Sequence, residues 1–268
     1  MKMKKFNILV LWRAFLAVVI IMAVCFATGP ALSAENTSPD ADKILQSMSS
    51  YLGGVKAFSV SADVDFEIIG LDGQKLQLSS LVSLVMERPT KFHVARKGLI
   101  ADAEFVFDGE TLTMYGKNIN AFAQIKVVPG SIDNAILTYE LMTGLPAPGA
   151  DLMFADPYAV LSSGVESSAY VGITYVNGVE CHHLAFREAE VDWQLWVKTG
   201  DDPLPMKYVI SSKWVTGAPQ YEIRLRDWNT SPTIKDGQFA FTAPEGAKNL
   251  VAIAVNEMGE LISAEEGK

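Results

Sequence analysis

Between Phe58 and Ile68 the chain reads "FSVSADVDFEI", eleven residues in strict alternation. Phe58, Val60, Ala62, Val64, Phe66 and Ile68 share one phase, and Ser59, Ser61, Asp63, Asp65 and Glu67 share the other. A period of two describes a β-strand with one face in a core and one face in water, and no helix can satisfy it. Such a strand is not stable alone. It needs pairing partners and an apolar layer to cover its dry face.

The partners follow in sequence. "GLDGQK" is a turn, "LQLSSLVSLVMERP" a long second strand ending near Pro89, and "TKFHVARKG" a third. "AEFVFDGETLTMYG" reads as a hairpin turned at Asp108-Gly109, and "NAFAQIKVV" as a further strand. In the second half, strands are expected over Tyr170–Val176, Glu180–Phe186, Trp193–Val197, Lys207–Trp214 and Tyr221–Asp227. Asn177-Gly178 is the strongest hairpin signal of the chain, and "FAFTAPEGAKNL" reads as a last short edge segment.

Helical spacing occurs in two places. Ile44, Leu45, Met48 and Leu52 recur at three and four residues before Gly53-Gly54, which predicts a helix over about Asp40–Leu52, with Ser38 or Asp40 near its cap. Ile132, Ile136, Leu137, Leu141 and Met142 predict a second helix closing on Gly144. The Pro-rich "LPAPGADLMFADPYAVLSSG" after it reads as a bend leading into one or two short helical turns. The fold class is therefore mainly β with α: a curved antiparallel sheet or incomplete β-barrel covered by helices inserted mid-chain. A sandwich satisfies the same alternation.

The amino terminus is read apart from this. Lys2, Lys4 and Lys5 precede an apolar stretch, Ala14–Ala27, and Gly29-Pro30 leads to a small-residue site after Ala34. That is the pattern of an export signal, giving residues 1–34 as signal peptide and 35–268 as a single periplasmic domain. An uncleaved anchor over Phe6–Ala27 is the alternative, at the cost of accommodating Arg13. After cleavage no stable membrane span is expected. The full sequence carries a formal charge of −9, and the leader contains basic residues but no acidic one. The exported chain is thus more acidic still, which argues against nucleic acid as a partner. Of the two cysteines only Cys181 lies beyond the leader, so no intramolecular disulfide is expected, and export as a bacterial periplasmic protein fits.

"NGVECHHLAF" gathers the letters of a metal or thiol site, Cys181, His182 and His183. On a strand, however, His182 points opposite to its two neighbours, and metal sites need three or four converging ligands. Cys181 and His183 share a face but stand about 6.5–7 Å apart, beyond direct hydrogen bonding. A Cys/His metal- or thiol-dependent hydrolase built on these two residues is carried only as an alternative. Glu188/Glu190, Asp201/Asp202 and Asp63/Asp65 read as a solvated face, and no serine elbow, phosphate loop or calcium loop is present. No cofactor is expected. The large apolar groups are more telling. Phe58, Val60, Val64, Phe66, Leu84, Trp193 and Leu195 are the candidate lining of an apolar cavity, chosen by alternation, although the same residues equally make an ordinary core. Trp196 falls on the otherwise wet face of "VDWQLWVK".

The early helix with "AFSVSADVDF" resembles the start of the LolA/LolB-like superfamily of periplasmic lipoprotein carriers. "FVFDGETLTMY", "GSIDNAIL", "NGVECHHLAF", "VDWQLWV" and "DPLPMKYVI" resemble the family of predicted periplasmic proteins DUF2092, over about Asp40 to Ala243. The resemblance implies an incomplete antiparallel barrel with helices as a lid over an apolar cavity, which in the carriers receives lipoprotein acyl chains. The carriers' functional arginine on an early strand has no counterpart in Ala57–Ile69, so that role is not carried over. The expectation is a non-enzymatic periplasmic protein that binds a lipid, a lipoprotein acyl chain or another apolar ligand as carrier or chaperone. An envelope scaffold with a protein partner is the alternative.

Overall fold

The computed structural model describes residues 39–99, 101–256 and 259–262. The expected leader, Ser38 and the carboxy-terminal residues from 263 lie outside them.

The alternating strand is the centre of the molecule. It spans β1 (Ala57–Ile69) and is paired along its whole length with β2 (Lys75–Glu87), from Ala57 opposite Glu87 to Ile69 opposite Lys75. The sheet continues by hairpins through β3 (Lys91–Gly98), β4 (Asp102–Phe107), β5 (Thr111–Gly116) and β6 (Ala121–Lys126). The second half forms its own meander: β7 (Ser167–Val176), β8 (Val179–Arg187), β9 (Val191–Lys198), β10 (Pro205–Ser212) and β11 (Gln220–Asn229). β11 then pairs antiparallel with the free side of β1, with a bulge at Ser59/Ser61, and joins the meanders into one sheet. β12 (Lys248–Leu250) adds to β6 in parallel, giving twelve strands among the described residues in the order β12-β6-β5-β4-β3-β2-β1-β11-β10-β9-β8-β7. Among the described strands β12 and β7 do not pair, so the sheet they form stays open. The β7–β8 turn uses Asn177 and Gly178 at φ 50° and 79°, the left-handed pair that a tight two-residue hairpin requires.

The link from β6 to β7 carries the chain across the apolar face. It contains α2 (Ile132–Thr143), a short 3₁₀ turn (Ala150–Met153) and α3 (Pro157–Leu161). Ser131 Oγ caps α2 by accepting from Asn134 N at 3.1 Å, and Gly144 closes it. The inward residues of α2 are Ile132, Ala135 and Ile136, whereas Leu137, Leu141 and Met142 are exposed. The helical period places the element correctly, but half of its apolar residues face outward. Arg88, just past β2, fastens this crossing by donating from Nη1 to Met153 O (2.8 Å) and Phe154 O (2.9 Å). Asp133 accepts from Ala155 N at 3.0 Å beside it.

α1 (Pro39–Gly54) packs on β7, β8, β9 and α3 with Ala41, Leu45, Met48 and Leu52 fully buried. Beneath it lie Leu184, Phe186, Trp193 and Leu195. Trp193 stacks on Phe186 (centroids 3.9 Å apart), meets Tyr208 edge-on and donates Nε1–H to Glu188 Oε1 at 2.7 Å. This half of the covered face is solid.

The opposite face explains the other phase of β1. Asp63 pairs with Arg226 (3.1 Å), Glu67 with Lys75 (2.9 Å), and Asp65 is buried between Ser79 and Arg224. Lys207 holds Glu222 at 2.8 Å. These carboxylates are cross-strand ion pairs rather than freely solvated groups. Trp196, the indole out of pattern, lies on that face between His183 (stacked, 4.1 Å) and the ammonium of Lys207 (5.0 Å).

Because Trp193 is inside the solid half, Trp193→Ala is expected to lower unfolding free energy by about 3–5 kcal/mol. Urea titration followed by circular dichroism measures it.

Candidate functional site

The other half of the covered face is hollow. A cavity of about 410 Å³ lies between the sheet and the β6–β7 crossing. Its floor is the inward phase of β1 (Phe58, Val60, Ala62, Val64, Phe66) with Val82 and Leu84 of β2, Phe92 and Val94 of β3, and Ile223 and Leu225 of β11. Its roof is Ala135, Ile136 and Tyr139 of α2 and the run Leu145–Ala150. Composition of the roof explains the void. "LPAPGA" offers mostly proline, alanine and glycine, whose short side chains fill little of the space above the floor. Gly149 sits at φ 85°, and a Cβ there would lie 2.3 Å from Ile223 Cδ1, so the roof touches the sheet where only glycine fits.

Of the residues singled out by alternation, Phe58, Val60, Val64, Phe66 and Leu84 lie on the cavity wall. Trp193 and Leu195 do not; they belong to the solid half under α1 and are a correction to the expected lining. Alternation selects a face of the sheet but cannot say which part of that face a helix will fill. Trp228, Tyr139, Tyr221 and Arg96 also line the cavity. Trp228 rests on Phe58 (5.3 Å) and donates Nε1–H to Pro205 O at 3.0 Å. Arg96 carried a legible signal: it follows Phe92 and Val94 in the inward phase of β3, where an apolar residue is expected.

Cys181, His182 and His183 are not brought together. Cys181 is buried against Val176 and Met206, with its Sγ 3.4 Å from Val179 O, and burial pushes its thiol pKa up, away from a nucleophilic thiolate. His183 Nε2 bonds Gln194 Oε1 at 2.9 Å, while His182 Nδ1 meets Tyr170 Oη at 3.1 Å. Among the described residues no group of three or more His, Cys, Asp or Glu could hold a metal ion. Cys181 and His183 thus hold separate partners and are not hydrogen-bonded to one another as a nucleophile–base pair. The chemistry this cavity supports is sequestration of apolar surface.

A family model described as "Predicted periplasmic protein (DUF2092)" matches residues 41–253. The chain belongs to this family. The periplasmic location expected from the leader is the one the family carries. No curated protein sequence matches the chain significantly. Among solved structures, it is similar to an uncharacterised conserved protein from Thermus thermophilus (11% identity, 79% of this chain and 99% of that one, TM-score 0.47). It is also similar to the lipoprotein LppX of Mycobacterium tuberculosis (13%, 74% and 100%, TM-score 0.42). A LolA superfamily protein from Nitrosomonas europaea matches at 9% identity, 75% and 97% coverage and TM-score 0.39.

Beside the roof, Asp151 accepts a long hydrogen bond (3.5 Å) from Tyr208 Oη. Burial, with the nearby charges of Glu140 and Glu188, pushes its carboxyl pKa from 3.8 up to about 6. A carboxyl whose pKa is raised by folding stabilises the fold below its unfolded value and loses that contribution as pH rises through the folded one. Stability should therefore decline from about pH 4 to pH 6 through this group. Asp151→Asn is expected to remove that slope and to gain on the order of 1–2 kcal/mol near pH 7.5. Thermal melts across this range check both.

Proposed function

We propose that this DUF2092 protein is a non-enzymatic periplasmic binder of a lipid or another apolar ligand, held between β1–β3, β11 and the crossing segment. One observation carries the reading: the cavity of about 410 Å³ is walled by aliphatic and aromatic side chains and lies within the usual range of small-ligand sites. Each methylene moved from water into such a space contributes about 0.8 kcal/mol. A chain of modest length thus repays its own ordering. The strand-face residues Phe58, Val60, Val64, Phe66 and Leu84 would form its floor, with Trp228 beside Phe58.

The test is displacement of a fluorescent fatty-acyl probe, alongside native mass spectrometry of gently purified protein. Val82→Phe projects a larger side chain from the floor and is expected to weaken probe binding at least tenfold while leaving the thermal midpoint equal or higher. Unchanged binding with an intact fold would place the ligand elsewhere.

The envelope-scaffold reading keeps one observation of its own. Among the described residues β7 is a sheet edge, and its Val171, Ile173 and Tyr175 are 57%, 50% and 65% exposed in alternate positions. An apolar edge row of this kind suits strand addition by a protein partner. A photo-crosslinker at Ile173 is expected to trap a discrete envelope protein in the native host if this reading holds; monomer alone would set it aside.

A further inference from the structure

Arg96 is a charge inside an otherwise apolar cavity. Its side chain leaves β3 in the inward phase behind Phe92 and Val94, and it lines the cavity with them. Among the described residues its buried Nε has no hydrogen-bond partner. Among the described residues no carboxylate makes an ion pair with it. What surrounds it is aromatic: its guanidinium carbon lies 5.5 Å from the centre of the Phe66 ring, and Tyr139 and Tyr221 line the cavity with it. Position 259 is glycine, and a Cβ there would come within 4.0 Å of Nη1, so the carboxy-terminal turn closes over the same spot.

Elsewhere the sheet treats its arginines differently. Arg224 and Arg226 on β11 point to the outer face, and each is matched to a carboxylate of β1. A guanidinium drawn partly out of water costs free energy unless an anion or a full set of acceptors meets it. The ring of Phe66 offsets part of that cost and offers no acceptor. Among the described residues the local inventory is thus a guanidinium with an unused donor and two phenols, with no ion-paired acid, in an otherwise apolar cavity.

We infer that Arg96 is the headgroup site of the cavity: it receives the anionic group, carboxylate or phosphate, of a single-chain amphiphile whose tail lies along Phe66, Val64, Leu84 and Phe58. This rests on the cavity reading above and narrows it from any apolar molecule to an acidic one. The planar fork of arginine matches both anions, and in a site of low dielectric such a charge-assisted pair is stronger than in water. Phe66 holds the fork from one side, and the hydroxyls of Tyr139 and Tyr221 are donors of the right kind for the remaining oxygens.

The experiment compares three probes of one chain length, palmitate, hexadecyl phosphate and hexadecanol, by displacement of the same fluorescent acyl reporter. The wild-type chain is expected to bind at least one acid tenfold or more tighter than the alcohol. The preferred acid tells a carboxylate from a phosphate ligand. Arg96→Gln is expected to bring the acids down to the level of the alcohol while the alcohol itself is unchanged, and Arg96→Lys to keep part of the preference. Equal binding of acid and alcohol by the wild-type chain overturns the inference and leaves the cavity reading standing. So does an acid preference that survives Arg96→Gln. Failure of all three probes to displace the reporter overturns both. The wild-type comparison decides the matter even if the substituted chains do not fold.

Discussion

The segment between β6 and β7 must pass from near one edge of the sheet to the other, and the rest of the structure depends on that passage. Ten strand spacings separate β6 from β7 along the sheet, an arc of roughly 48 Å. A sheet curved around its apolar face shortens this path, and the chain takes the route over the dry side. Covering the sheet and connecting its ends are therefore one event. α2, the proline-rich run and α3 lie where they do because the two meanders meet at β1 and β11 in the middle and leave their other ends apart.

That passage also divides the covered face. α1 and α3 fill the β7–β9 side with Leu45, Met48 and Leu52 against Trp193, Leu184 and Leu195. Long side chains on both partners leave little room, as close packing demands. Over β1–β3 and β11 the cover is the Leu145–Ala150 run and the inner edge of α2, whose side chains are mostly small. A roof of proline, alanine and glycine held at a fixed height by Arg88 and Asp133 leaves space beneath it. The hollow thus follows from the chemistry of the crossing segment, while the strands below are equally apolar on both sides of β11. Arg96 is set into this hollow in the inward phase of β3, while Ala95 and Lys97 beside it take the other phase.

Much of the architecture was legible in the sequence. The alternation of Phe58–Ile68, the Asn177-Gly178 turn and the spacing of Ile44 to Leu52 each rest on local geometry, and each element stands where they place it. β1, β2 and the later hairpins follow from period and turn chemistry. What local signals misjudged is equally physical. Leu137, Leu141 and Met142 keep helical spacing but face solvent, because a helix crossing a sheet presents only a narrow stripe to it. Asp63 and Asp65 read as wet carboxylates in the sequence and are bound to Arg226 and Arg224, more than 150 residues away.

By itself, the sequence determined which residues share a face, where the chain turns and that the dry face needs a cover, since period, proline and glycine act over a few residues. It also split His182 from Cys181 and His183 across the two faces of a strand, because side chains alternate there. Only the tertiary structure decided that Trp193 and Leu195 are sealed under α1 while Phe58, Val64 and Leu84 face a void, and that Arg96 meets the ring of Phe66 inside that void. Those outcomes depend on which cover lies over which strand. The placement is set by the long-range pairing of β1 with β11, and no local pattern records it.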